Sequence, residues 1–154
     1  MTRGLLIVGL GNPWRGDDGA GPAVARGLGD DPRVLVYEGE PIGLIDAWSG
    51  ADELILVDAV SSGAPAGTVH RLDPLTTLPG VLARGSTHAF GLAETLELAR
   101  ILDRLSPRVS VYGIEGEAFT AGEELSAPVR AAVETVRLEL EERLRRDAPD
   151  LDAA

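Results

Sequence analysis

The feature that most constrains this chain is an unbroken apolar run, Leu5-Leu6-Ile7-Val8, that opens into a turn of glycines and acids. The turn reads Gly9-Leu10-Gly11-Asn12-Pro13-Trp14-Arg15-Gly16-Asp17-Asp18-Gly19-Ala20-Gly21. A strand-length run without polar alternation predicts a strand buried on both faces, and such strands belong to parallel sheets covered by helices. Residues 20–28 then predict a short helix closed by glycine. Strand, turn and helix in that order set two carboxylates where a strand ends and a helix begins. In open α/β sheets, ligand crevices form outside the carboxyl ends of the strands.

The rest of the chain repeats the alternation. The first strand takes residues 4–10, a second 33–38, a third 53–60 and a last 109–114. The turn Gly29-Asp30-Asp31-Pro32 leads into the second strand. Residues 41–48 predict a short helix with Pro41 in its first turn. Residues 61–67 are a loop by composition, and residues 68–72 alternate and are polar on one side, which predicts an antiparallel edge strand. Residues 73–87 read as loop. Apolar positions 89, 92, 93, 96, 99, 102 and 105 predict a helix over 89–105. After a loop over 115–125, Ser126 is a suitable N-cap for the final helix, with Pro128 in its first turn. Val129, Ala132, Val133, Val136, Leu140 and Leu144 form its core stripe. Its outer face offers Arg137–Glu141, Glu139–Arg143 and Glu142–Arg146 at four-residue spacing. Residues 1–147 are read as a single domain and residues 148–154 as a flexible tail. The predicted architecture is a three-layer α/β/α sandwich around a mainly parallel, roughly five-stranded twisted sheet with an antiparallel edge strand.

Composition removes several function classes. There is no cysteine, which excludes disulfides, thiolate metal sites and cysteine nucleophiles. All 14 basic residues are arginine, so neither a P-loop lysine nor a Schiff-base lysine exists. The net charge of −11 disfavours a nucleic-acid partner. No apolar run approaches the ~20 residues that span a bilayer, and the N-terminus leaves no room for a signal peptide. A cytoplasmic monomer with no membrane association is expected. The glycine turn starts like a dinucleotide fingerprint, but Trp14 stands where the third glycine belongs and Pro13 removes an amide.

Three polar positions share one topological location. Asp17 and Asp18 follow the first strand, Asp58 closes the third after four apolar residues, and His88 sits between the Gly85-Ser86-Thr87 loop and a helix. Two carboxylates and an imidazole form a donor set suited to a divalent transition metal with vacant positions. Solvation of such exposed groups would make the empty site inexpensive. Each residue has a plainer role as well: an aspartate of the pair as helix cap, Asp58 as acceptor for loop amides, His88 as an ordinary first-turn residue. His70, in the edge strand, reads as a surface residue. Trp14, at the mouth of the crevice, is suited either to packing on the sheet end or to contacting a ligand.

Ile7 to Pro13, followed by Arg15-Gly16-Asp17-Asp18-Gly19-Ala20-Gly21, resembles the opening motif of the hydrogenase maturation endopeptidases. The similarity continues at Val57-Asp58-Ala59, Ser86-Thr87-His88, Tyr112-Gly113-Ile114-Glu115 and Leu125-Ser126. These proteases cut a C-terminal extension from the large subunit of nickel–iron hydrogenases once nickel is in place. The resemblance implies a metal-contacting and catalytic set of Asp18, Asp58 and His88. It also implies a hydrogenase large-subunit precursor as partner, nickel carried by that substrate, and an isolated enzyme free of metal. Trp14 departs from the smaller aliphatic residue common at its position, which bears on the shape of the substrate groove. The opening motif also resembles that of bacterial peptidyl-tRNA hydrolase, but residues 19–30 lack the histidine that enzyme needs. A non-enzymatic binding module of flavodoxin-like shape is the third reading.

Overall fold

In the computed structural model, which describes residues 4–73, 91–122 and 124–147, the apolar runs become strands. β1 spans Gly4–Leu10, β2 Val34–Tyr37, β3 Ala51–Val60, β4 Val69–Leu72 and β5 Arg108–Glu115. They form one sheet in the order β2-β1-β3-β5-β4. β1, β2, β3 and β5 run parallel, while β4 pairs antiparallel with β5 at the edge. The mainly parallel sheet with an antiparallel edge strand is the architecture the sequence predicts.

The described helices are α1 (Ala20–Gly27), α2 (Leu44–Ala47), α3 (Leu92–Ile101) and α4 (Ala127–Arg146), with 3-10 turns at Gly16–Gly19 and Pro41–Gly43. Side-chain alternation along the strands divides the core in two. Leu6, Val8, Leu54, Leu56 and Val111 face α2 and α3 through Leu44, Trp48, Leu92 and Leu96. Leu5, Ile7, Ile55, Val57 and Ile114 face α1 and α4 through Val24, Val129, Val136 and Leu140. Each such side chain, fully buried, stabilises the fold by about 1.5–3 kcal/mol before conformational entropy is counted.

The helix predicted over 89–105 stops at Ile101. Asp103 takes a left-handed conformation at φ 57°, one that aspartate tolerates better than most residues. The Arg104 N–H then reaches back to the Ala99 carbonyl at 2.8 Å. Leu102, part of the expected apolar stripe, is therefore half exposed. Residues 41–48 form a 3-10 turn and one turn of α-helix rather than a single helix. On α4 the Arg137–Glu141 pair forms, but Arg143 turns to Glu53 and Asp147, Glu139 to Arg71, and Glu142 to Arg145. Glu53 on β3 and Arg71 on β4 break up the predicted Glu139–Arg143 pair, while Glu142 takes Arg145 one position nearer on the same helix. The expected tail over 148–154 and positions 89 and 90 lie outside the described residues.

Candidate functional site

Asp18 lies in the 3-10 turn that follows β1, and Asp58 lies near the end of β3. β1 and β3 are neighbours with Gly9 opposite Val57, so Asp58 stands beside the point where β1 leaves the sheet. The glycines of the turn hold this edge tight. A Cβ at Gly21 would collide with the carbonyl oxygens of Leu10 and Val57. Gly11, at φ 141°, carries the chain out of β1, and a Cβ there would collide with the Asp18 carbonyl oxygen. Helix α1 can therefore begin directly over the strand ends, and the acid-bearing turn is pressed against the sheet.

Both carboxylates are nearly buried, Asp18 at 5% and Asp58 at 2% exposure. The expectation of exposed, solvated acids is corrected here, because α1 packs so closely that water is excluded from the strand ends. The Asn12 N–H donates to Asp18 Oδ2 at 3.0 Å, and the Ala59 N–H donates to Asp58 Oδ1 at 2.9 Å. Burial pushes the Asp58 carboxyl well above its ordinary range, and the nearby Asp18 charge pushes it further, while the Ala59 bond pulls the other way. The two acids are thus close enough to sense each other. Among the described residues no group of three or more histidine and acid side chains forms a metal-binding set. His88 lies outside the described residues.

Asp17 points elsewhere. It is fully buried, and no side chain caps the 3-10 turn or α1, which corrects the helix-cap role. Its carboxylate instead accepts the N–H groups of Glu117, Ala118 and Ser126 and the Ser126 hydroxyl, at 2.7–3.0 Å. Burial raises this carboxyl, yet the four donors outweigh it and hold the pKa below its ordinary value. Asp17 fastens the loop between β5 and α4 to the turn after β1. Ser126 sits at the N-cap position of α4, but its hydroxyl serves Asp17 rather than the helix.

Sequence reasoning missed a second polar knot. Glu115, at the end of β5, is 1% exposed. It accepts the Ser62 N–H and hydroxyl and contacts His70 Nε2 at 3.1 Å. His70 is consequently largely buried on its Glu115 side, not the free surface residue its edge strand suggested. An acid closing a buried strand was the signal that singled out Asp58, and it marks Glu115 equally. Trp14 resolves its two alternatives partly: it does not pack on the sheet end, and its side chain is 75% exposed.

The fold and site together are an α/β sheet with a nearly buried carboxylate pair at its C-terminal edge, and known structures share the fold over most of the chain. The NiFe hydrogenase maturation protease HycI from Thermococcus kodakarensis KOD1 is 29% identical, with TM-score 0.69 and 92% of both chains covered. The hydrogenase maturating endopeptidase HybD from E. coli shares the fold at 22% identity, TM-score 0.73, with 96% of this chain and 94% of its own covered. The hydrogenase expression/formation protein HupD of Thiocapsa roseopersicina is 30% identical over 119 residues, 72% of this chain. That alignment takes in 53% of HupD, so the chain spans about half the length of this relative. Residues 34–142 match the hydrogenase maturation protease family, HycI, and the chain belongs to that family. No described helix is long and apolar enough to cross a membrane.

Proposed function

We propose that this chain is an aspartic-type endopeptidase that removes the C-terminal extension of a nickel–iron hydrogenase large-subunit precursor after nickel insertion. The observation that carries this reading is the pair Asp18 and Asp58, converging nearly buried from neighbouring strand ends in a chain of this family. The nickel belongs to the substrate. Two close, desolvated carboxylates repel each other, and a divalent cation bound between them relieves both the repulsion and the burial cost. Asp18, Asp58 and His88 are the residues proposed to touch it. Two carboxylates and one imidazole leave a first-row metal with open positions, so the substrate's own ligands complete the shell only in the complex.

Loaded precursor is then distinguished from empty precursor by differential affinity. For bond cleavage, one aspartate takes a proton from the attacking water and the pair returns a proton to the leaving amine. The proposal extends to a cytoplasmic monomer that acts on a folded protein partner. Elemental analysis of the purified protein, beside cleavage assays on nickel-loaded and apo precursor followed by mass, tests it. A metal-free protein that shortens only the loaded form is expected, with no change after chelator treatment of the enzyme alone. Stoichiometric zinc required for activity, or equal cleavage of both forms, overturns the substrate-borne metal.

A further inference from the structure

The turn after β1 presents a tryptophan that neither the core nor the acid pair requires. Trp14 is the most exposed large apolar side chain among the described residues. Its backbone, by contrast, is held on both sides. The Trp14 N–H donates to Asn12 Oδ1 at 2.9 Å, and its carbonyl accepts the Gly122 N–H at 2.7 Å. Gly122 belongs to the loop that Asp17 fastens down, where the Asp17 N–H also donates to the Ala118 carbonyl at 2.7 Å.

Asn12 ties this anchor to the acids. Its side chain takes the Trp14 N–H while its own N–H goes to Asp18 Oδ2. The indole is thus carried by a rigid stretch of backbone in fixed relation to Asp18, with its ring in water. Ile42, 43% exposed, stands on the same edge of the sheet, just past the end of the neighbouring β2. Among the described residues, the other exposed large apolar side chains are Ile101 and Leu102 at the end of α3 and Leu138 on α4.

We propose that Trp14 is the docking anchor for the precursor segment next to the cleaved bond, covering an apolar side chain of that segment as the chain passes Asp18 and Asp58. This rests on the function proposed above and names how that site selects its protein substrate. An extended segment advances about 3.3 Å per residue, so a side chain a few positions from the scissile bond reaches a tryptophan four residues along the turn from Asp18. A large aromatic on pre-ordered backbone loses little freedom on binding, and such residues dominate interface energetics.

The chain has two tryptophans, Trp14 in water and Trp48 fully buried, which makes the test direct. Protein labelled with 5-fluorotryptophan gives two fluorine resonances, and Trp14→Phe assigns them. Unlabelled nickel-loaded large-subunit precursor, made uncleavable by a proline on the leaving side of its scissile bond, is added to the labelled protein with Asp18 and Asp58 intact. The Trp14 resonance is expected to shift and lose its sensitivity to deuterated solvent, while Trp48 stays in place. Steady-state cleavage by Trp14→Ala is expected to show KM raised at least tenfold with a much smaller change in kcat, an unchanged unfolding midpoint, and recovery in Trp14→Phe. A Trp14 resonance that stays put in a complex detected by gel filtration, or an unaltered KM in Trp14→Ala, overturns the anchor and leaves the protease reading standing. Wild-type protein that neither binds nor cuts the precursor removes the protease reading, and the anchor with it.

Discussion

Glu53 and Asp58 sit on the same strand, both nearly buried, and meet opposite surroundings. At the N-terminal end of β3, Glu53 receives a two-pronged hydrogen bond from Arg143, with Arg108 3.6 Å away. Those bonds, together with Asp147, keep the Arg143 guanidinium above its ordinary range. At the C-terminal end, Asp58 meets the charge of Asp18, and burial and repulsion together drive its carboxyl up. One end of the sheet sets its acid against an arginine, and the other sets two acids side by side. Asp17 shows that this arrangement is not forced by location, since four donors stabilise a carboxylate one residue from Asp18. A carboxyl raised by burial and by a neighbouring acid at the strand ends is the pattern of a functional site, where stability is given up for binding.

The comparison breaks first at the acid pair, where the largest effect is expected. Asp18→Asn and Asp58→Asn should each lower precursor cleavage about a thousandfold, read by mass of the product. Asp58→Asn should also stabilise the metal-free protein at neutral pH. Its folded carboxyl is raised, so the native state keeps a proton that the unfolded chain releases. The Asp58 contribution to wild-type stability then falls as pH climbs from the ordinary value of 3.8 towards the raised one. Urea unfolding across that range should show the fall in wild type and a flatter profile in the variant. A destabilised Asp58→Asn protein would mean that the acid is structural, like Glu53.

Asp17→Asn should cost about 3 kcal/mol, since an amide cannot accept all four donors as a carboxylate does. The sign of its pH dependence is opposite. The folded carboxyl lies below 3.8, so its contribution is whole above that pH and is lost as pH drops through the lowered value. Acid unfolding should therefore lose part of its steepness in the variant. If Asp17→Asn abolished cleavage at full stability, the assignment of roles within the pair would be reversed. The smallest effect is expected at Glu53→Gln, about 1 kcal/mol because Arg143 keeps Asp147 and some solvent. Cleavage should be untouched, and a loss of activity there would end the contrast between the two ends of β3.

What the sequence determined by itself was what can be written in short-range patterns. Apolar runs identified β1 and β3, because a strand covered on both faces has no polar side to show, and the β-branched and aromatic residues of 109–114 identified β5. The alternation of residues 68–72 placed β4 at the edge, and the order of strand, turn and helix put Asp18 and Asp58 on one edge of the sheet. Tertiary structure decided everything that depends on partners far along the chain. Asp17 and Ser126 are 109 residues apart, as invisible to local pattern as Arg143 choosing Glu53 over the in-helix Glu139. Burial of the acid pair was likewise beyond local reading, since it follows from how closely Gly21 lets α1 approach the strand ends. Hydrophobic period is a local property of the chain, whereas desolvation and charge pairing are set by whatever the fold brings within a few ångströms.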